Sequence, residues 1–202
     1  MPEQDDTAFH SLVTSTFEDH RALLEACRDD LEAAVGAAAA LLVKAYLKGG
    51  KLILFGNGGS MSDALHIEGE LVNRFSIDRP GVAAVALAAP ASFTATANDY
   101  SYDDAFARML QAHYRPGDVA LGLSTSGNSE NVVRALAKAR ELGAGTVALT
   151  GKGGGRCAEL ADVLLAVPSS CTPRIQEVHI LAGHILCDAV ERALVESGAL
   201  AT

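Results

Sequence analysis

The sequence predicts an α/β fold, a single domain in which a five-stranded parallel sheet is flanked by helices. From Lys51 onward, short runs rich in Val, Leu, Ile and Ala alternate with longer helical patterns, as expected of βαβ units. The 202 residues suit one domain, and 49% of them are hydrophobic, enough for a core. Two of the apolar runs lead directly into Gly-rich or Ser-rich turns. These observations indicate a three-layer arrangement like that of flavodoxin and Rossmann folds over residues 1–202.

Residues 1–50 precede the first predicted strand and carry two helical patterns. The patterns cover roughly 8–27 and 28–47, and Gly49-Gly50 ends the second, which is rich in Ala. Long apolar helices must cover a surface, and small Ala side chains permit close helix packing. We expect this extension to cap one face of the sheet and to pack against another subunit.

Residues 51–202 form the predicted α/β core. The expected strands are 52–56, 83–88, 118–123, 146–150 and 163–167. The expected helices are 60–75, 102–113, 129–143, a short piece near 156–161, and 174–197. Right-handed crossovers place helices on both faces of such a sheet, and ligands then bind at the carboxyl ends of its strands.

Composition and charge exclude several classes of protein. The net charge is −9 without a basic run, which argues against binding nucleic acid through its phosphates. The apolar run from Ala33 to Val43 is too short to cross a bilayer, and the acidic N-terminus does not resemble a signal peptide. We therefore expect a cytoplasmic protein that does not associate with membranes. The four Cys residues are widely spaced without a C-x-x-C pair, so neither a thiolate zinc site nor a disulfide framework is predicted.

The first candidate phosphate site follows the strand at 52–56, in the sequence Gly-Asn-Gly-Gly-Ser at 56–60. Glycines allow a sharp turn and close approach of a ligand, and the free N–H groups of the following helix attract an anion. Further along, His66 and Glu70 are four residues apart and project from one face of that helix. They are suited to act as a base or a metal pair, although such pairs are often solvated surface pairs.

The second candidate phosphate site is the sequence Ser-Thr-Ser-Gly-Asn-Ser at 124–129, between a strand and a helix. A helix cap needs only one Ser, so the excess of hydroxyl groups favours a phosphate cradle. The glycine-rich stretch 151–155 matches neither of the nucleotide-binding motifs G-x-x-x-x-G-K-[ST] and G-x-G-x-x-G. It is predicted to be a flexible surface turn. Asn98-Asp99, by itself, is predicted to be an ordinary turn pair.

The last predicted helix carries polar residues among apolar ones, including Gln176, Glu177 and His184. Glu177 and His184 are seven residues apart and nearly eclipsed, whereas Gln176 and His184 differ by about 80° around the helix. Spacing alone therefore pairs Glu177 with His184. A single His on an apolar helix is, however, more often a core residue than a ligand.

Seven short segments carry a resemblance to a known family. They are G-N-G-G-S at 56–60, H-x-x-x-E at 66–70, N-R-F at 73–75, A-N-D at 97–99, S-T-S-G-N-S at 124–129, L-T-G-K at 149–152 and R-I-Q-E-V-H at 174–179. Together they resemble the sugar isomerase (SIS) domain family, and within it the enzymes that interconvert sedoheptulose 7-phosphate and D-glycero-D-manno-heptose 7-phosphate. The resemblance covers nearly the whole chain. It implies an aldose–ketose isomerase that works through an enediol, at the first step of nucleotide-activated heptose biosynthesis.

The resemblance also implies an assembly, a cofactor and residue roles. It implies a homotetramer with sites at subunit interfaces, Glu70 as catalytic base and His184 as catalytic acid. It implies one Zn²⁺ per subunit and no nucleotide cofactor. The zinc ligands would be His66, Glu70, Gln176 and His184. The resemblance thus selects Gln176, whereas spacing alone selects Glu177. The implied substrate-binding residues are Asn57, Gly58, Gly59, Ser60, Glu70, Arg74, Asn98, Asp99, Ser124, Thr125, Ser126, Ser129 and Gln176.

Two alternatives stay open at this point. A similar bacterial SIS-domain protein is a regulator that binds the replication initiator, and it shares the N-R-F, A-N-D and R-I-Q-E segments. It lacks the Glu and the second His that stand here as Glu70 and His184. The other alternative is an isomerase of a different sugar phosphate, because Pro173 replaces an acidic residue that touches substrate in certain members.

Overall fold

The computed structural model describes residues 4–200, and its centre is a parallel sheet with strand order β2-β1-β3-β4-β5. The strands are β1 Leu52–Gly56, β2 Ala84–Ala86, β3 Val119–Ser124, β4 Gly145–Thr150 and β5 Val163–Ala166. The chain adds β2 on one side of β1 and β3 on the other. This reversal brings the carboxyl ends of β1 and β3 together, with Gly56 beside Leu123, at the point where open α/β sheets bind ligands. The predicted five-stranded parallel sheet is confirmed.

Helices cover both faces of the sheet. They are α1 Gln4–Tyr46, α2 Gly59–Val72, α3 Pro90–Asp99, α4 Ala105–His113, α5 Glu130–Leu142 and α6 Thr172–Glu196, with 3₁₀ helices at Tyr102–Asp104 and Gly155–Leu160. Alternate residues of β1 point to opposite faces. Leu52 and Leu54 pack with residues of α1, α2 and α6, whereas Ile53 and Phe55 pack with α4 and α5. Within the described residues, no helix combines the length and apolar character needed to cross a bilayer.

The N-terminal extension is one helix of 43 residues, so the prediction of two helices is wrong. No Pro or Gly stands near the predicted boundary between Cys27 and Arg28. Cys27 is buried against β5 and α6, and Arg28 pairs with Glu32 one turn later at 2.9 Å. Nothing therefore interrupts the backbone hydrogen bonds there. Gly36 lowers the helix propensity by about 1 kcal/mol without breaking the helix.

The segment after β2 also differs from the prediction. Asn98 and Asp99, predicted to be a turn pair, are the last two residues of α3, which begins at Pro90. Proline suits the first turn of a helix because its missing N–H has no partner there in any case. The small and Thr-rich sequence of α3 lacks an apolar stripe, and none of its residues is fully buried, so periodicity had no signal to detect.

Candidate active site

The first corner of the site, which we call the glycine corner (residues 56–60), joins β1 to α2. A Cβ on Gly56 would lie 2.9 Å from the Leu123 carbonyl oxygen and 2.9 Å from Ser60 Cβ, so only glycine allows the close approach of strand and helix. Gly58 has φ 56°, a conformation that glycine adopts without strain. The helix begins at Gly59, and its first N–H groups therefore face the carboxyl edge of the sheet.

The second corner, the serine loop (residues 124–129), joins β3 to α5. Ser124 Oγ lies 3.0 Å from Ser129 Oγ and 3.5 Å from Ser126 Oγ. Ser129 is the N-cap residue of α5, yet its hydroxyl is turned toward Ser124 instead of toward the helix. The hydroxyls thus form a cluster at the strand end, and the N–H groups of α5 add a helix terminus of the kind that suits an anion.

A hydrogen-bonded amide pair connects the two corners. Asn57 Nδ2 donates to Asn131 Oδ1 at 2.8 Å, and Asn131 Nδ2 donates to Asn57 Oδ1 at 2.9 Å. The hydroxyl of Tyr102 also donates to Asn57 Oδ1, at 2.8 Å. The side chain of Asn57 is therefore occupied within the protein. Sequence reasoning missed Asn131 and Tyr102, because their partner lies 74 and 45 residues away in the chain.

The glycine-rich stretch 151–155, which we call the glycine turn, lies behind the serine loop. The Gly151 N–H donates to the Thr125 carbonyl at 3.0 Å. A Cβ on Gly127, whose φ is 65°, would collide with the Gly154 carbonyl. Gly151 and Gly154 are both buried, so the prediction of a surface turn is wrong for these positions. Glycine is needed here because two backbones touch, and the contact holds the serine loop in place.

The candidate acid–base residues form a cluster between α2 and α6, which we call the His/Glu cluster. His66 Nε2 lies 3.1 Å from Glu70 Oε1 and 3.3 Å from His184 Nε2, and all three offer ligand atoms within 4.8 Å of one another. The helices cross closely at Gly183, where a Cβ would lie 2.7 Å from Ile67 Cδ1. This close crossing brings His184 to the two residues on α2.

Gln176 and Glu177 lie on different sides of α6. Gln176 reaches the glycine corner, since a Cβ on Gly59 would lie 2.5 Å from its Nε2. Glu177 instead contacts α1, where its Oε2 is 2.7 Å from His20 Nδ1. The pairing of Glu177 with His184 expected from spacing is therefore wrong, because eclipsed positions seven residues apart have different neighbours along α6.

Three of the predicted substrate-binding residues lie outside the two corners and are exposed on the single chain. Arg74 lies in the segment that follows α2, and Asn98 Nδ2 donates to the adjacent Asp99 Oδ1 at 2.8 Å at the end of α3. Within residues 4–200, none of the three forms a hydrogen bond with the His/Glu cluster. On the single chain, no hydrogen bond therefore connects these residues to the proposed reacting groups.

Two further titratable groups lie on the helices of the site. His179 on α6 is fully buried, its Nε2 is 3.0 Å from the Thr150 carbonyl oxygen, and burial lowers its pKa to about 4. It is a neutral core residue below the glycine turn. Asp63 on α2 is half-buried, and burial raises its pKa, an effect that nearby His66 partly offsets. Sequence spacing offered no signal for either environment.

Comparison with known proteins gives a consistent result. Residues 17–151 match the family model described as SIS domain. The phosphoheptose isomerase of Trichlorobacter lovleyi is 45% identical over 91% of this chain and 94% of that protein. Phosphoheptose isomerase 2 of Campylobacter jejuni is 51% identical over 78% of this chain and 79% of that protein. The solved structure of phosphoheptose isomerase from Neisseria gonorrhoeae has a TM-score of 0.86 and 37% identity, covering 91% of this chain and 99% of that one. The chain therefore belongs to the SIS domain family and, within it, to the phosphoheptose isomerases.

Proposed function

We propose that the protein converts sedoheptulose 7-phosphate to D-glycero-D-manno-heptose 7-phosphate through an enediol intermediate. The names of its relatives indicate a heptose phosphate as the class of substrate, and the family resemblance supplies sedoheptulose 7-phosphate. The observation that carries the proposal is the convergence of His66, Glu70 and His184 beside two corners suited to phosphate. The enediol reaction needs both parts, because a base must act on carbons that are remote from the phosphate group that holds the substrate.

The two corners bind and orient the substrate. The serine loop and the first N–H groups of α2 and α5 converge at the switch point of the sheet, where they would hold the phosphate. His66 follows Ser60 by six residues, so about 9 Å separates them along the helix axis. An extended sugar chain spans this interval and brings its carbonyl end to the His/Glu cluster. Because the bound substrate is already oriented, the entropic cost of orienting it no longer adds to the activation barrier of the proton transfer.

Glu70 and His184 carry the proton transfers. Glu70 removes a proton from C1 of the ketose while His184 protonates O2, which gives the enediol across C1 and C2. Glu70 then returns its proton to C2 while His184 removes the proton from O1, which leaves an aldehyde at C1. Each group therefore ends the cycle in its starting protonation state. Both side chains are half-buried, so they are open to a substrate and partly shielded from water.

Zinc is the cofactor that we propose for the cluster, where His66, Glu70 and His184 converge. Gln176, whose amide lies at the glycine corner, would supply the fourth ligand. Four ligands at 2.0–2.1 Å from a tetrahedral zinc lie about 3.3–3.4 Å from one another. The His66–His184 and His66–Glu70 separations of 3.3 and 3.1 Å agree with that spacing. A bound ion would act as a Lewis acid on the carbonyl oxygen.

We also propose a homotetramer with sites at subunit interfaces. Four large apolar side chains of α1 are exposed on the single chain, at 53–72%: Phe9, Leu12, Val13 and Phe17. Their spacing places them on one side of the helix. An apolar groove of about 470 Å³ between α1 and α6, lined in part by Leu31, Val35, Leu181 and Ile185, extends this surface. Exposed apolar surface of this extent is typical of an interface, and further copies of the chain would cover it.

A cytoplasmic location stays a prediction of the sequence.

Turnover of sedoheptulose 7-phosphate by chelator-treated protein, without and with added zinc, tests the proposal. We expect conversion that zinc restores, with the products separated by chromatography. Conversion that is indifferent to zinc would retain the acid–base roles and remove the metal. Conversion of a different sugar phosphate alone would favour the second alternative that Pro173 leaves open. If no sugar phosphate is converted, the regulator becomes the better hypothesis.

A further inference from the structure

We infer that the buried ion pair of Arg79 and Glu191 is a positioning element of the active site. It fixes the segment 73–77 after α2, and through that segment it holds Glu70 and His184 in their relative orientation. The inference rests on the catalytic roles proposed for those two residues. Neither Arg79 nor Glu191 is among the residues that the sequence predicted for the site.

The side chain of Glu191 holds the segment 73–77 by hydrogen bonds to the backbone of that segment. The side chain is 0% exposed, and its carboxylate accepts hydrogen bonds from three successive N–H groups, those of Phe75 at 2.9 Å and of Ser76 and Ile77 at 2.8 Å each. Burial alone would raise the pKa of Glu191, but these bonds outweigh it and lower the pKa to about 2. Three consecutive donors that converge on one carboxylate impose a tight curve on the backbone. The conformation of the segment therefore depends on this acidic group.

Arg79 ties the same carboxylate to the end of α2. Its Nε donates to Glu191 Oε1 at 2.9 Å, Nη1 donates to the Leu71 carbonyl at 2.7 Å, and Nη2 donates to the Glu70 carbonyl at 3.1 Å. The last carbonyl groups of a helix lack hydrogen-bond donors within the helix. Here the guanidinium of Arg79 provides those donors. One of those carbonyls belongs to Glu70 itself. The planar fork of Arg is required, because a Lys ammonium cannot bridge the same acceptors in fixed geometry.

The segment held by the pair lies against His184. The Phe75 and His184 rings have centroids 5.8 Å apart, and the His66 ring lies at 5.0 Å from His184 in an edge arrangement. His184 is thus packed against two rings, which limits its rotamers. Glu191 follows His184 by seven residues, so both project from the same side of α6. One side of α6 therefore carries the proposed catalytic acid and the group that fixes its packing partner.

A second ion pair with a buried carboxylate provides a matched comparison. Asp118 has a side chain that is 2% exposed, pairs with Lys51, and accepts backbone N–H bonds from Lys51 at 2.9 Å and Arg115 at 2.8 Å. It precedes β3, at the amino edge of the sheet and away from the site. In both pairs the buried carboxylate accepts several hydrogen bonds in place of its lost hydration, and such arrangements specify geometry more than they add stability. Only the pair at Glu191 contacts the catalytic elements.

The test compares Glu191→Gln with Asp118→Asn in the intact enzyme. We expect both variants to have a lower Tm, and only Glu191→Gln to lose kcat, by about 10–100-fold as for other residues that orient catalytic groups. KM should change less than kcat, because the two corners proposed to bind the phosphate are untouched and Arg74 is the single predicted binding residue within segment 73–77. An equal kcat per folded molecule in the two variants would overturn the inference.

Phe75→Leu and Phe75→Tyr keep the test decisive if Glu191→Gln fails to fold. Leu removes the ring from His184 without touching the buried pair, and we expect a lower kcat with little change in Tm. Tyr keeps the ring and should restore kcat. Full activity of Phe75→Leu contradicts the inference whether or not Glu191→Gln folds. An inactive wild type would instead reject the proposed function, whereas a Glu70→Gln variant with normal turnover would reject the catalytic role of Glu70 on which the inference rests.

Discussion

The serine loop and the His/Glu cluster both belong to the proposed site, but they are built in different ways. The loop takes all its hydroxyl groups from six consecutive residues, and the glycine turn supports it through backbone contacts. The cluster takes its groups from two helices that are more than 100 residues apart in the chain. The proposed binding function is therefore encoded locally, whereas the proposed chemistry depends on the packing of α2 against α6. Substitutions in the two regions should accordingly affect different kinetic constants.

The largest expected effect separates the chemistry from the binding. Glu70→Gln keeps the shape of the side chain and removes the base, so kcat should fall by about 10²–10⁴-fold, the usual contribution of general acid–base catalysis. Exchange of the C1 proton with deuterated water measures the step directly. Glu68→Gln, on the same helix, is the matched control and should leave exchange intact. A Glu70→Gln variant with near-normal exchange would remove this residue from its role.

Substitutions in the serine loop should affect binding instead. Ser124→Ala or Ser126→Ala removes a hydroxyl that would bind the phosphate, and a hydrogen bond to a charged group contributes about 1.5–3 kcal/mol. That energy corresponds to an increase of roughly 10–100-fold in KM, with kcat nearly unchanged. Steady-state kinetics of each variant provides the measurement.

Ser62→Ala controls for the loss of a hydroxyl outside the loop. Ser62 is exposed on the first turn of α2, and its replacement should leave KM as in the wild type. Unchanged KM in both loop variants would place the phosphate elsewhere.

A smaller effect should follow from disturbing the crossing of α2 and α6. Gly183→Ala places a methyl group 2.7 Å from Ile67 Cδ1, and overpacking of this kind costs about 1–3 kcal/mol. We expect a lower Tm and a lower kcat, with KM unchanged, because only the cluster depends on this crossing. Thermal melts and kinetics on the same sample test both parts.

Gly69→Ala is the control for that substitution. A Cβ at Gly69 would meet nothing within 4 Å, and Ala in a helix interior is favoured over Gly by about 0.5–1 kcal/mol. Its Tm should therefore rise with no change in kcat. A normal kcat in Gly183→Ala would show that the cluster tolerates a wider helix crossing.

The contrast between local and packed regions also explains what the sequence predicted. Gly58, Ser124 and the parallel strands are parts of contiguous patterns, and the structure confirms the strand, turn and helix at each corner. The spacing of His66 and Glu70 put them on one helix face. Their meeting with His184 required the family resemblance, because helical spacing on α6 favoured the wrong partner for that residue.

Other parts of the site could not be read from any local pattern. Asn131, Tyr102, Arg79 and Glu191 take their roles from hydrogen bonds that span as many as 116 residues. A buried Glu at an apolar helix position resembles an exposed one until its donors are known. The sequence suggested a surface turn at Gly154, because the residue that contacts it in space, Gly127, lies 27 residues earlier in the chain, before α5 and β4. Sequence patterns report local structure, and these positions are determined by tertiary contacts.

The smallest expected effect concerns His179, which shares α6 with His184 but lies beneath the glycine turn. Because burial lowers its folded pKa from 6.5 to about 4, the unfolded chain binds a proton at a higher pH than the folded protein does. The associated stability is complete above pH 6.5 and is lost as the pH falls from 6.5 toward 4. Between pH 7 and pH 6 the loss should be less than about 1 kcal/mol. Urea unfolding at a series of pH values measures it.

His179→Gln isolates this contribution. Gln can still donate to the Thr150 carbonyl but does not titrate, so the free energy of unfolding should depend less steeply on pH between 6.5 and 4 than in the wild type. The slope decides the test, because the absolute stability also changes with packing. An unchanged slope would mean that other groups cause the pH dependence. Since His179 contacts the end of β4 and not the His/Glu cluster, its replacement should leave the pH profile of kcat unchanged, which separates the stability of the loop region from the chemistry.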